Sequence, residues 1–489
     1  KTLNVQQLGS IYEGLLEFRL RRAEEELAVV KEDGSEVYEP ASEVDEPRRT
    51  VAEGELYLMN DKGERKATGS YYTPHYIVEY IVEHTLGPVL EEREERFREL
   101  MGRLDEKPGD KILERKAIDT LLGIKVCDPA MGSGHFLVHA VDWLAEHIIA
   151  ILNEFPGNPL LRKIEGVREE ILGELNDQHV QVDPDRLTDT GLLKRMVMKR
   201  CIYGVDLNPM AVELAKLSLW LDSFTVGAPL SFLDHHLKQG NSLIGTTVDE
   251  VREALEAEEG QFNLFTGPFT GLLQATEMIR EIGEYADVTF DQVEESATLY
   301  ESFQQKMEPY KRVLDLWVSR HFGNDGAERL LRSHGKQLLD SLRPGGAELP
   351  GEQQMTLEDA VLLQHEKSFF HWELEFPEVF IDLWETRWKE NPGFDAVVVN
   401  PPWGAEFTAS EKQYLNTFTT RVGKYDSYRL FMEQGLRLTR HRGCLSFITP
   451  SYWLVTAHAR RLRHLVLTSS TLRSIVLLPD DVFAGVKMD

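Results

Sequence analysis

The most constraining feature is a repeated alternation of short apolar segments with helix-like stretches, each segment ending in a turn rich in Gly, Pro, Asn or Asp. Gly123 to Asp128 reads as a strand running into Pro and Gly, followed by a helix from about Gly134 to Leu152. Cys201 to Asp206 and Met210 to Phe224 repeat the pattern. A third strand should end near Gln239, Phe394 to Asn400 and Cys444 to Thr449 are further strands with helices from about Ser410 and Thr456, and Leu472 to Leu478 is one more. Strands separated by helices imply right-handed crossovers and a parallel sheet covered on both faces, with ligands at the carboxyl ends of the strands. The expected fold class is therefore α/β, a Rossmann-like sheet with helical insertions.

At roughly 150 residues per domain, 489 residues suggest about three domains or one large domain with insertions. We expect an acidic segment over 1–66, with a helix from Val5 to Leu27 followed by a loop or exposed hairpin. A cofactor-binding half over 67–246 carries a helical insertion at 153–199; a larger helical insertion follows at 247–393, and a catalytic half at 394–489. Arg343-Pro344-Gly345-Gly346 marks a loop inside the larger insertion. The helix expected after Pro74 continues into Glu91 to Leu100, where Glu92 with Arg96 and Glu94 with Arg98 suit a solvated face. No run of about 18 consecutive apolar residues occurs, and 1–22 lacks the apolar core of a signal peptide. We expect a cytoplasmic protein without a membrane partner. Cys127, Cys201 and Cys444 lie far apart, each beside an apolar run, and read as free thiols without zinc spacing.

Four strand ends carry residues able to bind a ligand. Asp128-Pro129-Ala130-Met131-Gly132-Ser133-Gly134-His135-Phe136 is a glycine turn opening a helix, where backbone can approach a ligand closely and helix-start amides suit an anion. A plain strand-to-helix turn accounts for two glycines equally well, and neither GxGxxG nor GxxxxGK[ST] fits, which weakens nucleoside triphosphate binding. Asp206-Leu207-Asn208-Pro209 places a carboxylate at the next strand tip, suited either to ribose hydroxyls or to capping the following helix. Asn241-Ser242 follows the third strand, where an amide could read an adenine edge. In Asn400-Pro401-Pro402-Trp403, two prolines free the carbonyls of Asn400 and Pro401 from ladder bonding. With the Asn400 side-chain oxygen they suit a planar NH2 group, and Trp403 offers a stacking face.

Asn400 to Trp403 resembles the catalytic motif of amino-methyltransferases that use S-adenosyl-L-methionine, and Asp128 to Phe136 resembles their cofactor loop. Thr68 to Pro74 is similar to the motif preceding that loop in gamma-group DNA adenine-N6 methyltransferases. Phe370 to Phe380 resembles the subset found in fused type IIG restriction-modification enzymes and BREX or DISARM phage-defence methyltransferases. The resemblance covers about 68–489 apart from the insertions. It implies cofactor contacts from Tyr72, Thr73, Pro74, Asp128, Pro129, Ala130, Gly132, Ser133, Gly134, His135, Phe136, Asp206, Leu207, Asn241 and Ser242, and catalysis by Asn400, Pro401, Pro402 and Trp403. The expected partner is double-stranded DNA with a flipped adenine, together with possible defence-system proteins; no metal or strong base is required. Many relatives have Asp where Asn241 stands, and the family's pattern continues past Met488-Asp489 into a target recognition domain.

The 82 acidic and 54 basic side chains give a net charge of −28, which repels polyphosphates unless cations cluster. Segment 421–473 holds ten Arg or Lys against Asp426 and Glu433, a local balance of +8. Lys424, Arg429, Arg460, Arg461 and Arg463 are its expected DNA contacts. Readings that stay open are a non-catalytic cofactor-sensing subunit that grips DNA, and methylation of an RNA adenine or a protein glutamine.

Overall fold

The computed structural model describes residues 18–23, 25–32, 35–41, 44, 49–60, 73–180, 183–256, 269–342, 345–385, 387–421, 423, 426–479 and 482. They fall into two compact units. One comprises 1–72 with 402–406, the other 73–401 with 407–489.

In the first unit the regular structure among the described residues is β-structure. Strands β1 (Phe18–Arg22), β2 (Leu27–Glu32), β3 (Ser35–Pro40), β4 (Arg49–Val51) and β5 (Leu56–Asn60) form two antiparallel sheets, β1–β5 and β3–β2–β4. The helix expected over Val5 to Leu27 is thus overturned across its described part. Phe18 and Leu20 alternate with Arg19 and Arg21, the two-residue period of a strand, and the Arg19 backbone pairs with Met59 across the ladder. Ala23, Val29 and Val51 make a small core with Leu27, Tyr38 and Tyr57.

The second unit is built on a five-stranded sheet. After β6 (Val126–Asp128), β7 (Ile202–Asp206) and β8 (Leu237–Gln239), a two-residue pair, β9 (Ile381–Asp382) and β10 (Arg387–Trp388), precedes β11 (Phe394–Val399) and β12 (Thr439–Phe447). The sheet order is β12-β11-β6-β7-β8, with every neighbouring pair parallel. The α/β fold expected from the sequence is what the chain adopts. From β6 the chain winds outward through β7 and β8, then returns to the other side of β6 for β11 and β12. The order therefore reverses between β6 and β11, the topological switch point where open α/β sheets bind ligands.

Local chemistry places the helices. Asn208 caps the helix Pro209–Asp222 by accepting from the Met210 amide, with Pro209 pre-set for the first turn; Thr188 caps Asp189–Cys201 in the same way. His135–Asn153 has the length and apolar character to cross a membrane, and it lies against β6 and β7 with Leu137, Ala140, Leu144, Ala145 and Ile148 all but inaccessible to solvent. The described residues of 247–393 pack within the same unit around Phe303, Met307, Leu316, Trp317 and Leu331; part of the loop expected at 343–346 lies outside the described residues. Glu94 bonds to Arg98 as expected. Glu92 instead pairs with Arg440, and Arg93 reaches Asp395 on β11, so this helix face binds the sheet as well as facing water. Leu472 to Leu478 forms no strand; Leu472, Ile475, Val476 and Leu477 lie exposed in chain without regular structure. Cys127 and Cys201 are buried free thiols, and Cys444 is half-buried.

Candidate active site

Cys127 pairs with Val397 of β11 on one side and with Tyr203 of β7 on the other, so the ends of three neighbouring strands converge. Asp128, at the tip of β6, is buried, and its Oδ1 accepts from the Ala130 amide at 3.0 Å. The next turn is tied to β7: the Met131 amide donates to the Val205 carbonyl at 3.1 Å, and the Gly132 amide donates to Asp206 Oδ2 at 2.9 Å. Gly132 and Gly134 have φ of 52° and 79°, in the left-handed region that glycine adopts without cost. A Cβ at Gly134 would meet Ala215 at 3.1 Å, whereas at Gly132 it would meet nothing within 4 Å. Gly134 therefore lets the loop close onto the helix below, while Gly132 faces open space. No side chain caps the helix that starts at His135, so its first turn presents backbone amides to the loop.

Asp206 accepts the Asn208 amide on Oδ1 at 2.8 Å as well as Gly132 on Oδ2. Each carboxylate oxygen has a further lone pair, so bracing the loop is compatible with binding hydroxyls. Leu207 beside it is 55% exposed, an apolar side chain at a strand tip. Burial pushes the Asp128 carboxyl up to about 8, with the Asp206 charge adding to the effect, and burial also raises Asp206. His135 is held neutral, down at about 3, by burial and by His139 and His75 alongside it.

Beyond β8, Ser242 Oγ donates to the Pro129 carbonyl at 2.6 Å, joining this turn to the glycine loop. Asn241 Oδ1 accepts from the Leu243 amide at 3.1 Å, so the oxygen expected to read an adenine already holds its own turn. The support behind this edge comes from 369–380. Asn241 bridges Phe369 in parallel, the Phe370 amide bonds to the Ile244 carbonyl, and a Cβ on Gly240 would lie 2.2 Å from the Phe370 ring. Trp372 Nε1 donates to the Ser242 carbonyl at 3.3 Å. The sequence marked this segment without giving it a task; the glycine at 240 opposite an aromatic was the available signal.

On the other side of the switch point, Asn400 follows directly on β11. Its Nδ2 donates to Thr73 Oγ1 at 3.0 Å, bringing together residues 327 positions apart. Thr73 is 4% exposed and Asn400 half-buried. Thr73 was expected among the cofactor contacts; its observed partner is the catalytic candidate. Pro401 is buried, and Pro402 and Trp403 belong with the first unit. Thr68 to Tyr72 and Lys424 lie outside the described residues.

The expected DNA contacts divide. Arg429 is 6% exposed and donates to the His458 carbonyl. Arg463 donates to the Thr456 carbonyl at 2.7 Å. Both guanidinium groups thus already bond local backbone, and Arg463 is half-buried. Arg460 and Arg461 are exposed on the helix Arg460–Ser469.

The Eco57I restriction-modification methylase model matches residues 200–483, and the model of the MmeI DNA-methyltransferase domain matches 106–239. The chain belongs to the Eco57I restriction-modification methylase family. It is 26% identical over 484 residues to a protein of Methanocaldococcus jannaschii named as a type II restriction enzyme and methyltransferase, covering 90% of this chain and 36% of that one. It is also 32% identical over 111 residues to a type II methyltransferase of Thermus thermophilus, covering 21% of this chain and 26% of the relative. The chain thus spans about a third of the length of the first relative. In this Eco57I-family member, the β6 loop, Asp206 and Asn400 all fall within one or both matched stretches.

Proposed function

We propose that the chain is the methyltransferase part of a restriction-modification protein, transferring a methyl group from S-adenosyl-L-methionine to N6 of adenine in double-stranded DNA. The observation that carries this reading is Asn400, held by Thr73 at the end of β11 beside the β6 loop at the switch point. The loop fits the cofactor because Gly132 opens onto free space and an uncapped helix start stands behind it. Asp206 would take ribose hydroxyls, with exposed Leu207 against the adenine ring.

When bound, the cofactor supplies an electrophilic methyl group. The chain's part is to place an amine. With Asn400 Nδ2 donating to Thr73, the Oδ1 end of the amide and the Pro401 carbonyl would accept the two N6 hydrogens. That draws lone-pair density away from the ring and fixes the nitrogen's direction. A base inside a duplex must first be flipped out, at a cost of a few kcal/mol.

The test is labelled-methyl transfer to DNA, RNA and protein by the whole protein. We expect label in DNA adenine. Asn400→Ala should lower turnover about a hundredfold or more, with cofactor affinity by calorimetry close to wild type. Undiminished turnover in that variant, or label in RNA or protein alone, would refute the assignment.

A further inference from the structure

Among the described residues one group of imidazoles joins His135, at the end of the glycine loop, to His75 and His139, which have no part in the methyl-transfer geometry. His135 and His139 lie one helical turn apart on His135–Asn153, and His75 opens the helix His75–Glu106. Ring centroids are 4.4 Å apart for His75 and His139, 5.1 Å for His135 and His139, and 6.2 Å for His75 and His135. One ring nitrogen from each lies within 4.8 Å of the others.

We propose that His75, His135 and His139 bind a single divalent transition-metal ion of the zinc class. Tetrahedral coordination with bonds of ~2.0–2.1 Å separates ligand nitrogens by roughly 3.3 Å, so small ring rotations close the set. Residues at i and i+4 of a helix share a face, which places two ligands without any change in backbone. His75 is exposed and the other two are half-buried, giving an ion a route from solvent. Glu79 Oε1 lies 3.3 Å from His75 Nε2, the position of a carboxylate that orients a ligating ring. A three-nitrogen set favours zinc, cobalt, nickel or copper over magnesium and calcium, which prefer oxygen.

The ion's place in the chain suggests a structural role. His75 is two residues past Thr73, which holds Asn400, and His135 directly follows Gly134 at the end of the glycine loop. Metal at this point would clip the start of one helix to the start of the other, fixing the Thr73 segment against the cofactor loop. No step of methyl transfer passes through the ion.

The probe is Co2+ titrated into untagged, metal-stripped protein, followed by visible absorption. We expect ligand-field bands that saturate at one equivalent and disappear on adding Zn2+, while Mg2+ in excess has no effect. His75→Ala and His139→Ala should each weaken Co2+ binding more than about tenfold, with circular dichroism of the metal-free variants matching wild type. His75 is exposed at a helix start, so its variant tests the site even if His139→Ala folds poorly. Absence of saturable one-to-one binding by the wild-type protein would overturn the proposal, as would wild-type affinity in His75→Ala or equal competition by Mg2+. The readout is independent of methyl transfer, so failure here leaves the catalytic reading standing, and the converse holds.

Discussion

Replacing Thr73 by Val separates two tasks that its position allows. Valine matches threonine in shape and suits a site only 4% exposed, so packing is preserved and one hydroxyl is lost. The loss removes the 3.0 Å bond from Asn400 Nδ2. A hydrogen bond of this kind contributes about 0.5–1.5 kcal/mol net. If that energy orients the Asn400 amide for the transition state, turnover should fall roughly 2- to 12-fold at 1.4 kcal/mol per decade. This is well short of the loss expected for Asn400→Ala, because the amide itself remains. Cofactor affinity should stay within about twofold, since nothing touching the β6 loop is removed. The assay is steady-state methyl transfer to DNA, separating kcat from the cofactor KM, with calorimetry for cofactor binding. Unchanged kcat together with a raised cofactor KM would refute the reasoning and return Thr73 to the cofactor set.

Asp206→Ala should weaken cofactor binding roughly ten- to a hundredfold by calorimetry, since it removes a charged acceptor and releases the Gly132 amide that shapes the loop. Asp128 has a folded-state pKa raised to about 8, so the stability associated with its protonated form is fully present below about pH 4 and is lost as pH rises to 8. Asp128→Asn keeps an acceptor for the Ala130 amide, and its melting temperature should exceed wild type by a margin that grows across that window; a margin independent of pH would contradict the burial argument. Arg460→Ala with Arg461→Ala should reduce the slope of log affinity for DNA against log salt by about 2, at roughly 0.9 per phosphate contact. An unchanged slope would remove this helix from the interface.

Much of the site was legible because its signals are local. A strand ending in Asp128 before two glycines, another ending in Asp206 before Asn208-Pro209, and Asn400 before two prolines are each visible within a few residues, and the structure brings them to one edge of the sheet. What escaped was chemistry between distant positions. Thr73 and Asn400 are 327 residues apart, Ser242 and Pro129 are 113 apart, and no periodicity announces such pairs. Sequence reading misled in two places. The helix expected over Val5 to Leu27 gives way to a strand at Phe18–Arg22. The +8 of segment 421–473 overstated its capacity for phosphate, because Arg429 and Arg463 bind backbone carbonyls while Arg437 and Arg440 pair with Glu433 and with Asp395 and Glu92. Counting charges gives a field; only geometry says which cations are already engaged.

The same pairs explain how Asn400 comes to emerge at the correct edge. Asp395, near the start of β11, accepts from Arg93 at 2.7 Å and Arg440 at 2.6 Å on Oδ1, and from the Lys125 amide at 2.8 Å on Oδ2. Burial alone would raise its carboxyl, but the two guanidinium groups hold it below the ordinary range. The ladder with β12 is irregular between Phe394 and Ala396, where a strand could slip. A slip of one residue would turn every side chain of β11 to the opposite face. Asn400 would then point away from Thr73, and the Val397–Cys127 pairing that sets β11 beside the cofactor loop would be lost. The charged cluster at the amino end thus fixes a register whose consequence is read five residues later, at the carboxyl end where we place the methyl transfer.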